Sequence, residues 1–319
     1  MIDFRYHLVS IVSIFMALAV GIVLGAGPLK EDIGNRLTKE VTALRAEKTQ
    51  LRTELDTALR GTSARDTYSS AVAPAVIKNQ LAGKIVALVV MPGTDGDLVK
   101  DTTASLTSAG AKVGSTVTLT DLWTDPLKKS FRNTLANQLA GLVGAPLGTS
   151  SPDDLAATVL ARSILVGKDQ PSGPPSISAS AALDGLKAGD LVKVAPDQIV
   201  RSSSVVFLAG AVKGANQEET DARLASYVQL VRLLEAGGSG AVVATVSNTT
   251  DLSLSGNLVA AVRKDTDAVK VISTVDDADL PMGQATIVLA LVQEHAGGAG
   301  QYGLAADAQA VAPDNTVRK

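Results

Sequence analysis

Side chains that could bind a soft metal ion or act as a nucleophile are scarce in this sequence. The chain of 319 residues contains two histidines, His7 and His295, and no cysteine. The lack of cysteine excludes thiolate chemistry, disulfides and zinc fingers. Two histidines near opposite ends of the chain leave almost nothing from which to build a Ser-His-Asp triad.

The remaining ligands for a soft metal do not cluster along the sequence. Copper(I) is bound by thiolate, thioether or imidazole groups, and the methionines form no Met-x-x-Met pair. These methionines are Met1, Met16, Met91 and Met282. His7 is a weak candidate, because oligomer symmetry would bring several copies of it together. Its position beside Tyr6 has a simpler interpretation, which is membership of an aromatic belt at a membrane surface.

Two glycine-containing loops lack the residues that catalysis or phosphate binding needs. The segment Met91–Asp97 follows a predicted strand but has neither GxGxxG nor the Lys and Ser/Thr of a phosphate loop. Asp95 or Asp97 is more simply the cap of the next helix. Gly238–Gly240 precedes its strand, whereas the Ser of a nucleophile elbow follows one. We therefore predict no catalytic residue and no bound cofactor, and we expect that the protein is not an enzyme.

Three aspartates in the C-terminal third of the chain stand close together. Asp276, Asp277 and Asp279 stand just before Leu280-Pro281. Their position favours a capping turn over a site for a hard cation.

Charge and composition exclude further classes. The chain carries 29 Lys and Arg against 32 Asp and Glu, a formal charge of −3, so no overall positive field attracts nucleic acid. Aromatic residues make up only 3%, which argues against stacking surfaces for bases. The hydrophobic fraction of 46% is sufficient for a sizeable core.

An uncharged apolar run near the N-terminus predicts a membrane anchor. Leu8–Gly27 is 20 residues long, and a helix of that length spans roughly 30 Å, the thickness of the hydrocarbon core. A cleaved signal peptide is the alternative, but its apolar region is usually about 7–15 residues. The candidate cleavage site ends at Gly27 and is followed by Pro28, a poor residue after a cut.

Basic residues flank both ends of this run, so the count of positive charges does not decide its orientation. Arg5 precedes the run, while Lys30, Arg36 and Lys39 follow it. The seven residues before the run are too few to fold. We expect a single-pass protein of the cell membrane, with the short tail inside and the C-terminal domain extracytoplasmic.

Small residues recur every four positions along the predicted membrane helix. They are Ser13, Ala17, Gly21 and Gly25, and the last two form a GxxxG motif. This spacing lets two helix backbones approach closely, although glycine and alanine are common in membrane helices without any such role.

The next segment has the heptad pattern of a short parallel coiled coil. The predicted core consists of Leu37, Val41, Leu44, Lys48, Leu51 and Leu55. Oppositely charged residues then occupy facing positions of two chains, giving the pairs Glu40–Arg45 and Glu47–Arg52. We predict a homodimer or homotrimer through a stalk over residues 28–62, while a solvated helix lying on its own domain is the alternative.

The rest of the chain predicts an α/β domain over residues 63–297. Apolar runs at Ile85–Val90, Lys112–Thr120, Val205–Ala209, Ala241–Val246 and Val269–Ile272 are typical of buried strands. Helical stretches such as Glu218–Ala236 separate them. The alternation predicts a mostly parallel, Rossmann-like sheet flanked by helices. Residues 1–27 form the tail and membrane helix, and residues 298–319 are expected to be a disordered tail.

The opening Met1–Ser10, together with the apolar run that ends Gly21–Gly25, resembles the actinobacterial MctB copper transporter family. Further similar stretches are Pro92-Gly93, Leu119-Thr120 before Trp123, and Gly300–Gly303. The resemblance covers most of the chain and implies a role in copper efflux and homeostasis, with copper as a transported ion. It supplies no set of copper ligands.

Two functions therefore stay open. The first is support of copper efflux in the cell envelope. The second is a non-enzymatic oligomeric scaffold that presents its α/β domain to envelope proteins and binds no copper itself. A nucleotide- or sugar-modifying enzyme is a third and weaker alternative.

Overall fold

The structure is a computed structural model that describes residues 4–26, 29–146, 152–168, 170–247 and 256–314. The chain divides into a helical unit that ends at Arg65 and an α/β unit that begins at Asp66. Gly27 of the candidate cleavage site and the following Pro28 lie outside the described residues, as do Met1 and residues 315–319 of the expected tail.

Two helices make up the N-terminal part. Helix α1 is Phe4–Ala26 and helix α2 is Leu29–Ile77, which is 49 residues long. The sequence Gly61-Thr62-Ser63 predicts a weakened helix, with a new helix that begins at Tyr68. That prediction is wrong, because α2 continues through these residues. One glycine costs a helix only about 1 kcal/mol, and the neighbouring Thr62 keeps a helical geometry in which its Oγ1 donates to the Ala58 carbonyl at 3.1 Å.

Seven strands form one sheet in the order β3-β2-β1-β4-β5-β6-β7. The strands are β1 (Ile85–Val90), β2 (Lys112–Leu119), β3 (Val192–Ala195), β4 (Ser204–Ala209), β5 (Ala241–Thr245), β6 (Ser273–Val275) and β7 (Gln301–Tyr302). All neighbours are parallel except β2 and β3. The predicted mostly parallel sheet is confirmed, with an antiparallel edge strand that the sequence did not indicate.

Helices cover both faces of the sheet. They are α3 (Gly96–Ser108), α4 (Lys129–Ala140), α5 (Pro152–Ile164), α6 (Ile177–Ala188), α7 (Gln217–Ala236), α8 (Leu258–Lys264), α9 (Ala268–Val271) and α10 (Pro281–His295). Apolar residues of α4–α8 pack on one face. The end of α2, α3 and α10 pack on the other face.

Alternate residues of the central strands enter the two cores. In β1, Ala87 and Val89 belong to one core, while Val86 and Leu88 belong to the other. Burial on both faces explains why these strands read as continuous apolar runs rather than as alternating ones.

The structure corrects two boundaries near the C-terminus. The strand predicted at Val269–Ile272 is wrong: residues 269–271 lie in the short helix α9, because the Asp265 carboxylate accepts from the backbone N–H of Ala268 at 2.8 Å and closes a turn. The expected disordered tail from residue 298 instead contains β7, which pairs with β6. Its ordering comes from contacts to Arg263 and Asp276, which composition alone does not show.

Candidate functional site

The predicted membrane-packing residues lie on α1, and their side chains are exposed. Phe4–Gly25 is long and apolar enough to cross a membrane. A Cβ added at Gly21 or Gly25 would meet no heavy atom within 4 Å. Ser13 is not a free donor in this surface, because its hydroxyl bonds the Val9 carbonyl at 2.9 Å. Ala17 is likewise exposed, so this face of the helix is open to lipid or to another helix.

The predicted coiled-coil residues lie on the first half of α2 and are also exposed. Leu44 has 64% of its surface exposed, although it is a predicted core position. The same holds for the other core positions Leu37, Val41, Lys48, Leu51 and Leu55, and for the charged residues Glu40, Arg45, Glu47 and Arg52. A single chain therefore leaves this whole apolar seam in contact with solvent.

The two histidines lie in different units of the chain. His7 lies on α1 and His295 at the end of α10, whereas Met91 is buried after β1. Among the described residues, no group of three or more His, Cys, Asp or Glu could hold a metal ion.

The loop after β1 is built for capping. Asp95 is the N-cap of α3, and its carboxylate accepts from the Asp97 N–H at 2.9 Å. Gly210, which follows β4, packs closely enough that an added Cβ would lie 3.1 Å from the Pro92 carbonyl oxygen. The capping interpretation is confirmed at Asp95.

Of the acidic group after β6, Asp276 belongs to a buried ion-pair network, whereas Asp279 is exposed and accepts from the Ser247 hydroxyl at 2.7 Å. The guanidinium of Arg263 pairs with Asp276 at 2.8 Å and with Asp307 at 2.7 Å, and it donates to the Tyr302 carbonyl at 2.7 Å. We call these four residues the Arg263 network. Helix α10 begins without a side-chain cap, so the predicted capping role of the three aspartates is wrong.

The Arg263 network fastens the last described segment to the sheet. The Asp276 carboxylate accepts from the N–H groups of Leu304 at 2.7 Å and Ala305 at 3.1 Å. The Arg263 side chain is only 4% exposed, so its charge must be balanced by these partners. An arginine that ends the apolar sequence of α8 was the available signal, and sequence reasoning missed it.

Asp277 is the most isolated carboxyl group of this region. It is fully buried, and neither carboxylate oxygen has a hydrogen-bond partner among the described residues. Burial, together with the negative charge of Asp276, raises its pKa to about 7. An added Cβ at Gly283 would overlap the Asp277 carbonyl oxygen, so only glycine fits there.

A second group of titratable residues lines a cavity of about 280 Å³ at the amino ends of the strands. Glu294 accepts from the backbone N–H and hydroxyl of Ser273 at 2.7 and 2.6 Å, and burial raises its pKa to about 8. Burial and the neighbouring Lys84 lower the pKa of His295 to about 4. His295 is therefore neutral near pH 7 and belongs to the packed domain, not to a loose tail.

Three features define the class of this protein. They are one apolar helix of membrane-spanning length, a long second helix, and a mostly parallel α/β unit. The chain belongs to the MctB family, described as a copper transport outer membrane protein, whose sequence profile matches residues 1–313. This confirms the resemblance drawn from the opening residues and from the segments near Trp123 and Gly300.

Curated relatives match over nearly their whole length. The chain is 28% identical to the copper transporter MctB of Mycobacterium tuberculosis over 317 residues, which cover 98% of this chain and 99% of the relative. The protein of the same name from Mycobacterium leprae is 26% identical over 321 residues, covering 95% and 96%. The family is named for copper transport and not for a catalytic activity.

Proposed function

We propose that this protein is a single-pass protein of the cell membrane that assembles as a parallel homodimer or homotrimer and supports copper efflux. The observation that carries the copper role is the match to copper transporters over residues 1–313. In this proposal the α/β unit has a Rossmann-like sheet. It lies on the extracytoplasmic side of the membrane.

The exposed surfaces of the helical unit support the anchoring and assembly parts of the proposal. An apolar helix with every described side chain exposed is stabilised by lipid rather than by its own chain. The seam of α2 has complementary charges at facing positions of a parallel pair. Tethering in a membrane raises the effective concentration of two such stalks, so three heptads suffice where they would be marginal in solution.

Deletion of the gene tests the copper role. We expect the deletion strain to accumulate intracellular copper and to lose copper tolerance, and the full-length chain to restore both. Unchanged copper content and tolerance in the deletion strain would remove copper efflux from the proposal and leave only the assembly.

Crosslinking tests the assembly independently. Because the chain has no cysteine, Leu44→Cys at a core position should give one symmetric disulfide-linked species in membranes under oxidation. Ala46→Cys is the matched control, since that heptad position points away from the partner helix. Equal crosslinking of both variants would contradict the coiled coil.

One observation favours the scaffold as a second candidate function. Among the described residues, no group of three or more His, Cys, Asp or Glu could hold a metal ion, and this favours a copper phenotype that arises through a protein partner. Copper binding by the full-length protein in detergent micelles distinguishes the two. Binding that is lost in His7→Ala and kept in His295→Ala favours direct handling of copper, whereas no binding tighter than micromolar favours the scaffold.

A further inference from the structure

Two arginine side chains line one cavity of the α/β unit. The cavity measures about 490 Å³ and lies between the end of α5, the start of α6 and the end of α7. Its volume falls within the roughly 300–1,000 Å³ of ordinary small-molecule pockets. Arg162 belongs to α5, and Arg201 precedes β4. An occupant of this cavity would therefore contact two cationic groups from separate parts of the chain.

The guanidinium of Arg201 is held in place by the end of α5. Its Nε and Nη2 atoms donate to the Leu165 carbonyl at 2.8 and 2.6 Å. This carbonyl is one of those that a helix leaves unpaired at its C-terminus. The Nη1 group has no partner among the described residues and is not sealed from solvent, so a ligand can reach its N–H donors.

Arg162 is oriented in a similar way and keeps a different edge open. Its Nη1 atom donates to the Val143 carbonyl at 3.1 Å and to the Gly144 carbonyl. The Nε and Nη2 groups have no partner within the described part of the chain. That edge is the one with which arginine makes paired hydrogen bonds to an oxoanion. Because Arg162 is exposed, these donors are accessible.

Neither guanidinium has a counter-ion in the residues that the structure describes. No Asp or Glu side chain there lies within 4 Å of Arg162 or Arg201, and none lines the cavity. Arg201 is half-buried, and a charge with restricted access to water is destabilising unless an opposite charge balances it. The excess of positive charge therefore favours an anionic occupant.

The start of α6 adds hydroxyl groups to the same lining. Ser176 is the N-cap of α6, and its Oγ accepts from the Ala179 N–H at 3.1 Å. The hydroxyls of Ser176 and Ser178 lie 3.2 Å apart, and both residues line the cavity. The positive end of the helix dipole has the same sign as the two arginines, so it supports the preference for an anion that the arginines establish.

A phosphate monoester matches these donors better than a carboxylate does. It carries between one and two negative charges near pH 7 and has three terminal oxygens, whereas a carboxylate has one charge and two oxygens. Two guanidiniums and a hydroxyl supply donors for all three phosphate oxygens. The lining also includes Leu142, Val143 and Ala236, whose apolar atoms would contact the organic part of the ligand.

We propose that this cavity binds a phosphate monoester through the guanidiniums of Arg162 and Arg201 and the hydroxyl of Ser178. Two sources share this chemistry: a soluble phosphorylated metabolite, and the headgroup of a lipid that ends in a phosphate monoester. The proposal does not depend on the role in copper efflux.

Ligand-detected NMR on the full-length protein in nonionic micelles, with glycerol 3-phosphate as the probe, tests the proposal. We expect the unmodified protein to bind the probe, and Arg201→Gln and Ser178→Glu each to weaken binding at least about tenfold. Arg201→Gln removes charge-assisted donors. Ser178→Glu keeps both arginines but places a competing carboxylate in the lining. A carboxylate in the first turn stabilises a helix, so this second variant remains informative if Arg201→Gln does not fold.

A matched control separates the cavity from general charge effects. Arg232→Gln changes an arginine of α7 that does not line the cavity, and it should bind glycerol 3-phosphate as the unmodified protein does. Unchanged fluorescence of Trp123, the single tryptophan, will show that each variant is folded. No binding by the unmodified protein, unchanged affinity in Ser178→Glu, or equal affinity for acetate would overturn the proposal.

The source of the phosphate is read in phosphatidylcholine nanodiscs that also contain either phosphatidic acid or phosphatidylglycerol. Both added lipids are anionic, but only phosphatidic acid ends in a phosphate monoester. Weaker binding of glycerol 3-phosphate in the presence of phosphatidic acid than of phosphatidylglycerol assigns the cavity to a lipid headgroup. Equal binding assigns it to a soluble metabolite. Either result supports the phosphate site itself.

Discussion

Two leucines show how differently the two units of this protein are stabilised. Leu44 in α2 is 64% exposed, whereas Leu88 in β1 is fully buried. The α/β unit buries its apolar side chains in two cores of its own. The described residues of the helical unit bury almost none within one chain, so its apolar surface is left open. The comparison teaches that one sequence can specify a self-sufficient fold and, in the same chain, an apolar surface that its own residues leave uncovered.

The largest expected effect concerns the Arg263 network in the α/β unit. Arg263→Ala leaves the Asp276 carboxylate buried without its partner, so we expect a loss of about 3–5 kcal/mol in the free energy of unfolding. Urea denaturation followed by Trp123 fluorescence measures it. The exposed Arg232, 3.9 Å from Asp267, is the matched control, and Arg232→Ala should cost less than about 1 kcal/mol. Similar losses of stability in both variants would show that burial of Arg263 does not determine how much its ion pair contributes to the free energy of unfolding.

The two leucines themselves give the next effect. Leu88→Ala should lower the free energy of unfolding of the α/β unit by about 2–5 kcal/mol, because it leaves a cavity in a close-packed core. Leu44→Ala should leave that transition unchanged and weaken self-association instead. Urea denaturation and sedimentation velocity in micelles separate the two quantities. If Leu44→Ala destabilised the α/β unit equally, the division between the units would be wrong.

Buried carboxyl groups predict that the α/β unit loses stability as the pH rises. The pKa of Glu294 rises from 4.5 to about 8 and that of Asp277 from 3.8 to about 7. The folded protein therefore holds protons that the unfolded chain releases, and this stabilisation is lost as the pH passes through the folded values. His295, lowered from 6.5 to about 4, acts in the opposite direction only below about pH 6.5.

Between pH 6.5 and 8 the free energy of unfolding should fall by about 2 kcal/mol. In Glu294→Gln the fall should shrink to less than about 1 kcal/mol, because the amide keeps an acceptor for Ser273 but has no proton to lose. Urea denaturation at the two pH values checks this. An equally steep fall in the variant would assign the pH dependence to other groups.

The smallest expected effect concerns Lys48 and the self-association of the helical unit. Lys48 occupies a predicted core position of the coiled coil, where a charge lowers stability. Lys48→Leu should lower the dissociation constant of the oligomer about threefold to tenfold. It should leave the unfolding of the α/β unit unchanged. Fluorescence energy transfer between labelled chains measures the dissociation. Weaker association in this variant would place residue 48 outside the seam.

Sequence reasoning recovered the central strands and the longest helices because their patterns extend over many residues. The runs at Ile85–Val90 and Ala241–Val246 and the apolar stripe of α7 are long enough to identify their elements. Strands β3 and β7 are only four and two residues long. Their pairing is decided by residues distant in the chain, which local periodicity does not report.

The candidate sites also divide into those that local sequence patterns predict and those that depend on residues distant in the chain. The membrane helix follows from composition alone, and the heptads remain predictions because a single chain contains no partner helix. The Arg263 network joins residues from 263 to 307 through side chains whose burial is a property of the fold.

The position of β7 has a consequence for biosynthesis. Its two residues pair with β6, and the N–H groups that reach Asp276 come from residues 304 and 305. Synthesis of the chain must therefore pass residue 305 before the sheet acquires its last strand. A truncated product that stops at residue 297 would retain every helix named here, yet it would expose the edge of β6 and lack Tyr302 and Asp307 as partners of Arg263, and such a product is a natural target for proteolysis.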